Sequence, residues 1–444
     1  MKWILRSLAW MFLLTLCLTA AAGCNSADPI DPATTVAANP SATAEPAPAF
    51  DGLTIDSTYR IVISSNASEI IRKTADMVAA AIREKAGLEL PIVTDAEAAT
   101  EHELVLGPTN RTFYTADLGW NVFRDGQSLY IHSNDHTTLY FAAEAVLETW
   151  LTPDFGLTAE GGLILPKDRV AELNGLTTRR NRSIKVLSQN MRYADDANGN
   201  TVQARAQRFL QMLEEYQPDL IGGQEYTYNW NIWLTKHTKK AGGEGTLDGY
   251  GMINISRDGS DGRGDESNPI FYRLERFELL ETETFWLSDT PERVSKVEKS
   301  DNYRICTWAL LKDKLTGETI LFANTHLDHT TDTVRGEQAE ILMNYLARRV
   351  GQYTTYLTGD FNCVPESIPY GTVAATLSDS HKTAWIDHST VSNTYHDYTD
   401  EGYSEIDFIF HNDKTTPVSY EIISKKYDGF VADHYGVIAE FVND

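Results

Sequence analysis

The sequence predicts an α+β protein in two parts. A small α/β unit over residues 51–170 precedes a larger domain over 183–444, in which two sheets pack face to face with helices outside, a four-layer α/β/β/α sandwich. Three observations predict this. The chain has 444 residues, too many for one ordinary domain. Its apolar content of 42% is enough for real cores. Its second half carries many short apolar runs of strand length with only a few helical patterns between them.

The first segment is a leader rather than part of the fold. Lys2 and Arg6 precede an almost wholly apolar run from Ser7 to Ala22, and A-A-G-C follows at 21–24. This is the outline of a secretory signal peptide over 1–23. Small residues before a cysteine resemble a bacterial lipoprotein signal, which implies a lipid on the Cys24 sulfur and a location on the outer side of a bacterial cell membrane. The apolar run is short for a bilayer span and lacks a basic stop signal after it. Residues 24–50, rich in Ala, Pro, Thr and Ser, read as a flexible tether.

In the small unit, Y-R-I-V-I-S-S (59–65), E-L-V-L-G (103–107) and L-I-L-P (163–166) read as strands. Glu69 to Ala86 and Thr137 to Leu151 have helical spacing, and 121–132 reads as a hairpin with Asp-Gly at its turn. G-P-T-N-R (107–111), this hairpin and the helix after it resemble a non-catalytic domain that precedes some bacterial glycoside hydrolases, which implies a glycan contact by residues 51–170. His132 and His136 read as exposed loop histidines. Residues 171–182 are a polar junction. In the large domain the apolar strands are 184–188, 219–223, 269–272, 306–311, 319–325, 355–358, 406–410 and 436–441, with helices at 202–215 and 334–350.

The formal net charge is −25, and both leader charges are positive, so the remainder is more acidic still. A long nucleic acid is gripped through its phosphates by a basic track, which this balance argues against. A small phosphorylated substrate is not excluded, because a metal ion offsets charge locally. Beyond the leader and Cys24, only Cys306 and Cys363 remain, with no CxxC pair and no disulfide framework. Cys363 reads as a small packed residue.

The chemistry lies at strand ends. The first strand of the large domain ends S-Q-N (Asn190) and the second G-Q-E (Glu225). Later ones give N-T-H (His326), G-D-F-N (Asp360 and Asn362), I-D-F (Asp407) and finally A-D-H (Asp433 and His434). Singly, each has a structural explanation: Asn190 as a turn cap, Glu225 as a solvated strand end, His326 as a core histidine. Together they supply oxygen ligands for a hard cation, a group to activate water and donors for transition-state oxygens. No set of His and Cys has zinc-like spacing.

The order S-Q-N, Q-E, N-T-H, G-D-F-N, I-D-F, A-D-H resembles the endonuclease/exonuclease/phosphatase superfamily, whose fold is that of DNase I. The resemblance covers about 183–444. I-F-Y-R (270–273) followed by F-W-L-S-D-T-P (285–291) further resembles a bacterial subgroup and brings in Tyr272 as a substrate contact. The resemblance implies a DNase I-like sandwich and a phosphoester hydrolase that uses Mg²⁺, with Mn²⁺ as the alternative. It implies Glu225 as principal metal ligand with Asn190 beside it and Asp433 near. Asp360 would act on the attacking water, and Asn362 would hold a phosphate oxygen or the nucleophile. His434 would face the phosphate, oriented by Asp407, and His326 would contact the scissile phosphate or aid the leaving group.

One departure matters. The abasic-site nucleases carry an acid two positions after the first Asn, where this chain has Arg192. Arg192 would therefore hold an anionic substrate or pair with an acid such as Asp195. The leading expectation is a secreted, membrane-anchored, metal-dependent phosphoesterase acting on a small phosphate ester. An extracellular nuclease is the alternative within that chemistry. A cell-surface glycan-binding protein with a scaffold nuclease-like domain is the alternative outside it. A nuclease would carry basic loops, whereas 241–268 is rich in Gly and Asp and is expected to border the site.

Overall fold

The computed structural model describes residues 50–111, 119–238 and 247–443, so the leader, Cys24 and the tether up to residue 49 lie outside the described residues. Residues 51–444 form one compact unit. Its N-terminal region runs β1 (Gly52–Ile55), β2 (Arg60–Ile63), α1 (Glu69–Ala86), β3 (Ile92–Thr94), β4 (Glu103–Leu106), β5 (Asn121–Asp125), β6 (Ser128–His132), α2 (His136–Trp150) and β7 (Leu163–Pro166). Helix α1 covers the span that its apolar spacing predicts. Ser68 caps its start by accepting from the Ile71 N–H, and Gly87 ends it at φ +66°. The hairpin β5–β6 pairs Asp125 with Ser128, and Gly126 takes the positive φ that its two-residue turn requires. Strands order β3-β2-β4-β6-β5, parallel except at β5. Both helices pack into the main core of this region with β1 and β7. His132 is a correction to the sequence reading: it lies on β6 and is buried rather than exposed, while His136 begins α2 and meets Ser68 Oγ at 2.9 Å.

The chain continues through α3 (Val170–Asn174), β8 (Ile184–Asn190), α4 (Val202–Tyr216), β9 (Leu220–Gln224), α5 (Tyr228–Thr238), β10 (Tyr250–Ile253), β11 (Ile270–Arg273), β12 (Phe277–Trp286), β13 (Ile305–Asp313) and β14 (Thr319–His326). It ends with α6 (Asp332–Gln352), β15 (Thr354–Asp360), α7 (Ile368–Ala374), β16 (Ser378–Asp379), α8 (Ser380–Thr383), β17 (Ile386–Asp387), β18 (Asp407–His411), β19 (Thr415–Ile423) and β20 (Gly436–Asn443). One sheet orders β10-β11-β9-β8-β20-β19-β17 and the other β12-β13-β14-β15-β18-β16.

Side-chain alternation builds the expected layers. Ile184 and Val186 on β8, Ile320 and Phe322 on β14, Tyr356 on β15 and Ile409 on β18 meet between the sheets. Their neighbours point away. Leu187 and Ile438 pack under Phe209 of α4 and Trp230 of α5. Leu321, Leu357, Phe408 and Phe410 pack under Leu342 and Leu346 of α6 and Tyr370 of α7. Both faces of the central strands are thus buried, which is why they read as nearly unbroken apolar runs.

The strands without such runs escape the sequence reading. At the edge, β12 (F-E-L-L-E-T-E-T-F-W) exposes residues 278–282, and β19 contains Pro417 beside a register shift. Tyr226 and Trp230 of the aromatic cluster after Glu225 are core residues, and Tyr228 is exposed.

The two sheets approach closely beside Gly222 on β9. A Cβ there would lie 2.0 Å from Thr358 Oγ1 and 2.6 Å from Asn324 Oδ1, both on the opposite sheet. Gly222→Ala is therefore expected to destabilise the fold by about 1–3 kcal/mol through overpacking, read as a lowered thermal unfolding midpoint. An unchanged midpoint would show that the sheets can separate at no cost.

Candidate active site

Along the inner face of the sandwich, apolar residues give way to polar ones toward one end. Strand β8 reads Ile184, Val186, Ser188, Asn190, and β14 reads Ile320, Phe322, Asn324, His326. On β15 the sequence is Tyr356, Thr358, Asp360. Period-2 alternation keeps these on one face, so the last residue of each strand points into the end of the interlayer. Register does the rest. His326 pairs with Asp360 across parallel β14–β15, and Asp360 pairs with Asp407 across antiparallel β15–β18.

A buried polar layer underlies this end. Asn324 Nδ2 donates to the carbonyls of Gly223 (2.7 Å) and Pro269 (3.0 Å), and its Oδ1 accepts from Gln224 Nε2 (2.7 Å) and Thr358 Oγ1 (3.1 Å). It links the two sheets while satisfying groups that burial would otherwise leave unpaired.

Above this layer Glu225, His326, Asp360, Asn362, Asp433 and His434 line a cavity of about 1030 Å³, and Asn190 and Asp407 stand behind them, bonded to Asp360 and His434. Asn190 Nδ2 donates to Glu225 Oε1 (3.2 Å) and to Asp360 Oδ2 (2.9 Å). His434 Nδ1 lies 2.8 Å from Asp407 Oδ2, and its Nε2 lies 3.9 Å from Asp360 Oδ2. Asn362 Nδ2 donates to the Leu327 carbonyl (3.0 Å), which fixes the amide's orientation, and also faces His326 Nε2 at 3.0 Å. His326 must therefore accept at Nε2 and carry its proton on Nδ1.

The two histidines are held in opposite states. Burial drives the His326 pKa well below its usual value, and the nearby Arg304 charge adds to this, so the ring is neutral. Burial alone would also lower His434, but Asp407, Asp360 and Asp433 outweigh it and push its pKa up to about 10. Burial and the facing Asp407 carboxylate raise Asp360 to about 7.

Strand ends place these groups by a repeated local device. Asn190 Oδ1 accepts from the N–H of Arg192, and Asp360 Oδ1 from the N–H of Asn362, each at 2.9 Å. Arg192, Asn362 and Glu225 all hold positive φ, at +57°, +48° and +54°. Side-chain-to-backbone bonds two residues on stabilise such turns, and strained backbone of this kind concentrates at functional sites. The Tyr193 N–H closes the arrangement on Glu225 Oε2 at 3.1 Å.

Asp433 also lines the cavity. Its Oδ1 is buried without a hydrogen-bond partner among the described residues, and burial, reinforced by the Glu225 charge, raises its pKa. Asp360, Asp407 and His434 also bring ligand atoms within 4.8 Å of one another. There, however, His434 Nδ1 and Asp407 Oδ2 already satisfy each other, which makes that trio an imidazole–carboxylate pair facing a third carboxyl. Glu225 and Asp433 offer hard oxygen donors, and the orphaned Asp433 oxygen fits a divalent cation, while Asn190 turns its NH₂ to Glu225 and its oxygen to the Arg192 N–H.

Other expectations need correction. Tyr272 lies on β11 in the core between the sheets, with Gly251 against its ring, and does not line the cavity. Arg192 lines the cavity but pairs with Asp196 (3.1 Å at both nitrogens) and faces Asp433 at 3.6 Å. Asp195 instead accepts from the Val202 N–H. Cys306 and Cys363 are free and buried, and burial pushes the Cys363 thiol up to about 11, far from a reactive thiolate. Of the Gly- and Asp-rich stretch, Arg257, Gly264, Asp265 and Glu266 border the cavity, while residues 239–246 lie outside the described residues.

Sequence reading missed Arg257, Arg304, Arg335 and Tyr395, which also line the cavity. None belongs to a motif; their placement depends on distant strands. It missed Arg205 as well. This fully buried guanidinium donates to the carbonyls of Asn200 (3.0 Å), Arg192 (2.9 Å), Met191 and Ala194, and lies over the Trp230 ring. It anchors the loop that carries Arg192 and Tyr193.

Residues 187–426 match the endonuclease/exonuclease/phosphatase family. No curated protein matches the chain. Among solved structures, a family protein from Bacteroides thetaiotaomicron is 29% identical with a TM-score of 0.54, covering 59% of this chain and 98% of its own. A family protein from Bacteroides vulgatus is 29% identical with a TM-score of 0.54, covering 59% and 99%. The mannosyl-6-phosphatase of Bacteroides thetaiotaomicron is 28% identical with a TM-score of 0.53, covering 58% and 99%.

Lysine cannot bridge four carbonyls with one ammonium, so Arg205→Lys is expected to speed hydrogen exchange across 191–200. It should also cost about 1–3 kcal/mol of stability. Unchanged exchange in that segment would remove the anchoring role.

Proposed function

The chain belongs to the endonuclease/exonuclease/phosphatase family, and on that premise we propose that it is a divalent-metal-dependent phosphoesterase acting on a small, non-polymeric phosphate ester. The observation that carries the proposal is the convergence at Asn190. Its amide touches both Glu225, on the side of Asp433 and its orphaned oxygen, and Asp360, on the side of the two histidines. Cation ligands and proton-handling groups thus share one cavity.

Glu225 and Asp433 would hold Mg²⁺, or Mn²⁺, with Asn190 beside them orienting Glu225. When bound, such an ion polarises phosphoryl oxygens and offsets their charge. The chain's own residues supply the rest. Asp360 orients a water and takes its proton as the water oxygen bonds to phosphorus. The P–O bond to the leaving group breaks with its electrons on the ester oxygen, which takes a proton from water as the alcohol departs, and Asp360 returns its proton to water. Asp407 keeps the His434 imidazolium oriented toward the phosphoryl group, and Asn362 positions neutral His326.

Two observations favour a small ester over a polymer. The chain is strongly acidic, and Arg192, Arg257 and Arg335 at the cavity are each paired with a carboxylate. The likeness to a mannosyl-6-phosphatase favours sugar phosphates within that class. The leader and A-A-G-C motif support a location outside a bacterial membrane, with the lipid on Cys24.

The test is hydrolysis of sugar phosphates, including mannose 6-phosphate, a generic monoester and diester, sphingomyelin, DNA and RNA, with Mg²⁺, Mn²⁺ or EDTA. The expected outcome is hydrolysis of a small ester that EDTA abolishes. His434→Ala and Asp360→Asn should each lower kcat by about 10²–10⁴-fold, and Glu225→Gln should raise the metal concentration needed for half activity. Faster cleavage of DNA or RNA than of any small ester would replace this reading with the nuclease one. Hydrolysis of nothing, together with glycan binding by the protein, would favour a glycan-binding surface protein.

A further inference from the structure

Four arginines line the cavity, and three are already neutralised. Arg192 chelates Asp196, Arg257 chelates Glu266 at 3.0 and 3.1 Å and reaches Asp265 at 2.9 Å, and Arg335 pairs with Asp332 at 2.5 Å. Arg304 differs. Its side chain is only 6% exposed, and its nearest carboxylate, Asp328 at 3.6 Å, lies beyond hydrogen-bond distance. One guanidinium nitrogen reaches His329 Nδ1 at 3.5 Å, too long for a strong bond.

Asp328 makes no hydrogen bond to Arg304, and its oxygens are engaged elsewhere. They accept from Ser300 Oγ (2.8 Å), the Thr330 N–H (3.0 Å) and the Asn302 N–H (3.3 Å). A guanidinium carries five donors, and burying them unpaired is costly. Cys306 pairs with Thr325, so Arg304 enters the cavity beside the His326 end of the neighbouring strand, and the two side chains also share a smaller recess.

We propose that Arg304 is a catalytic residue whose terminal guanidinium N–H groups receive oxygens of the phosphoryl group from the His326 side of the cavity. The proposal rests on the phosphoesterase reading and deepens it. Arg304 acts as a fixed donor and neither gains nor loses a proton. As water bonds to phosphorus and the ester oxygen leaves, the guanidinium balances charge on the non-bridging oxygens, and its fork geometry suits them. Its charge also helps to keep His326 neutral.

The test uses the full chain with Arg304→Gln, Arg304→Lys and Arg304→Ala, and inorganic phosphate with Mg²⁺ as the probe. Calorimetry should show phosphate affinity falling about tenfold or more in Arg304→Gln. The value of kcat on a small phosphate ester should fall further, with the metal concentration for half activity unchanged. Added guanidinium ion should restore part of the turnover of Arg304→Ala. If the shorter side chains fail to fold, Arg304→Lys keeps the charge, and weakened phosphate binding in a folded Lys variant still supports the assignment.

Phosphate affinity and turnover of folded Arg304→Gln within twofold of the parent would overturn it. So would an equal loss of thermal stability and turnover without guanidinium rescue, which would make Arg304 only the counter-ion of Asp328. The two proposals fail separately. A chain that binds phosphate through Arg304 yet hydrolyses no ester sinks the phosphoesterase reading, and one that hydrolyses esters regardless of Arg304 sinks this one.

Discussion

The side-chain amide of Asn190 donates to Glu225 and to Asp360, and through those two bonds it ties carboxylates from two different sheets into one network. The rest of the site is arranged around that constraint. For one amide to reach both, β8 and β15 must end at the same height on facing sheets. The polar layer around Asn324 and the glycine at 222 set how closely those sheets approach. Donors and acceptors in that layer are matched across the interface, so sliding one sheet past the other would strand several buried polar groups at once.

Charge is handled by pairing rather than by avoidance. The chain is strongly acidic, yet four arginines border its cavity, and most of them are spent on neighbouring carboxylates. Some imbalance remains. His434 is held as a cation among three carboxylates, His326 is held neutral beside a cation, Asp433 keeps an unpartnered oxygen, and Arg304 has no carboxylate within hydrogen-bond distance. Opposite states of two chemically identical side chains, a few ångströms from one carboxylate, divide the cavity into unlike halves.

Much of this was legible in the sequence. The central strands announce themselves as apolar runs because both of their faces are buried. Helices α1, α4 and α6 follow from amphipathic spacing, and the six polar phrases mark the strand ends that meet at the cavity. What escaped has a physical reason in each case. The middle of β12 is exposed, so only its ends reach the core and no alternation shows, and Pro417 disguises β19. Tyr272 was drawn into the site by its neighbours in sequence, but alternation along β11 turns it into the core. Arg192 met Asp196 instead of Asp195, because its positive φ turns the loop back onto the residue four positions on.

The sequence by itself determined the layered α+β architecture, the residue types at the strand ends and the acidic surface, since these depend on local periodicity and composition. Only the tertiary structure decided which cavity arginines pair closely with carboxylates, which histidine carries the charge, and that Arg205 holds the Arg192 loop through backbone carbonyls. Those outcomes depend on distances between groups far apart in the chain and on how completely each is removed from water. Neither quantity exists until the two sheets close on each other.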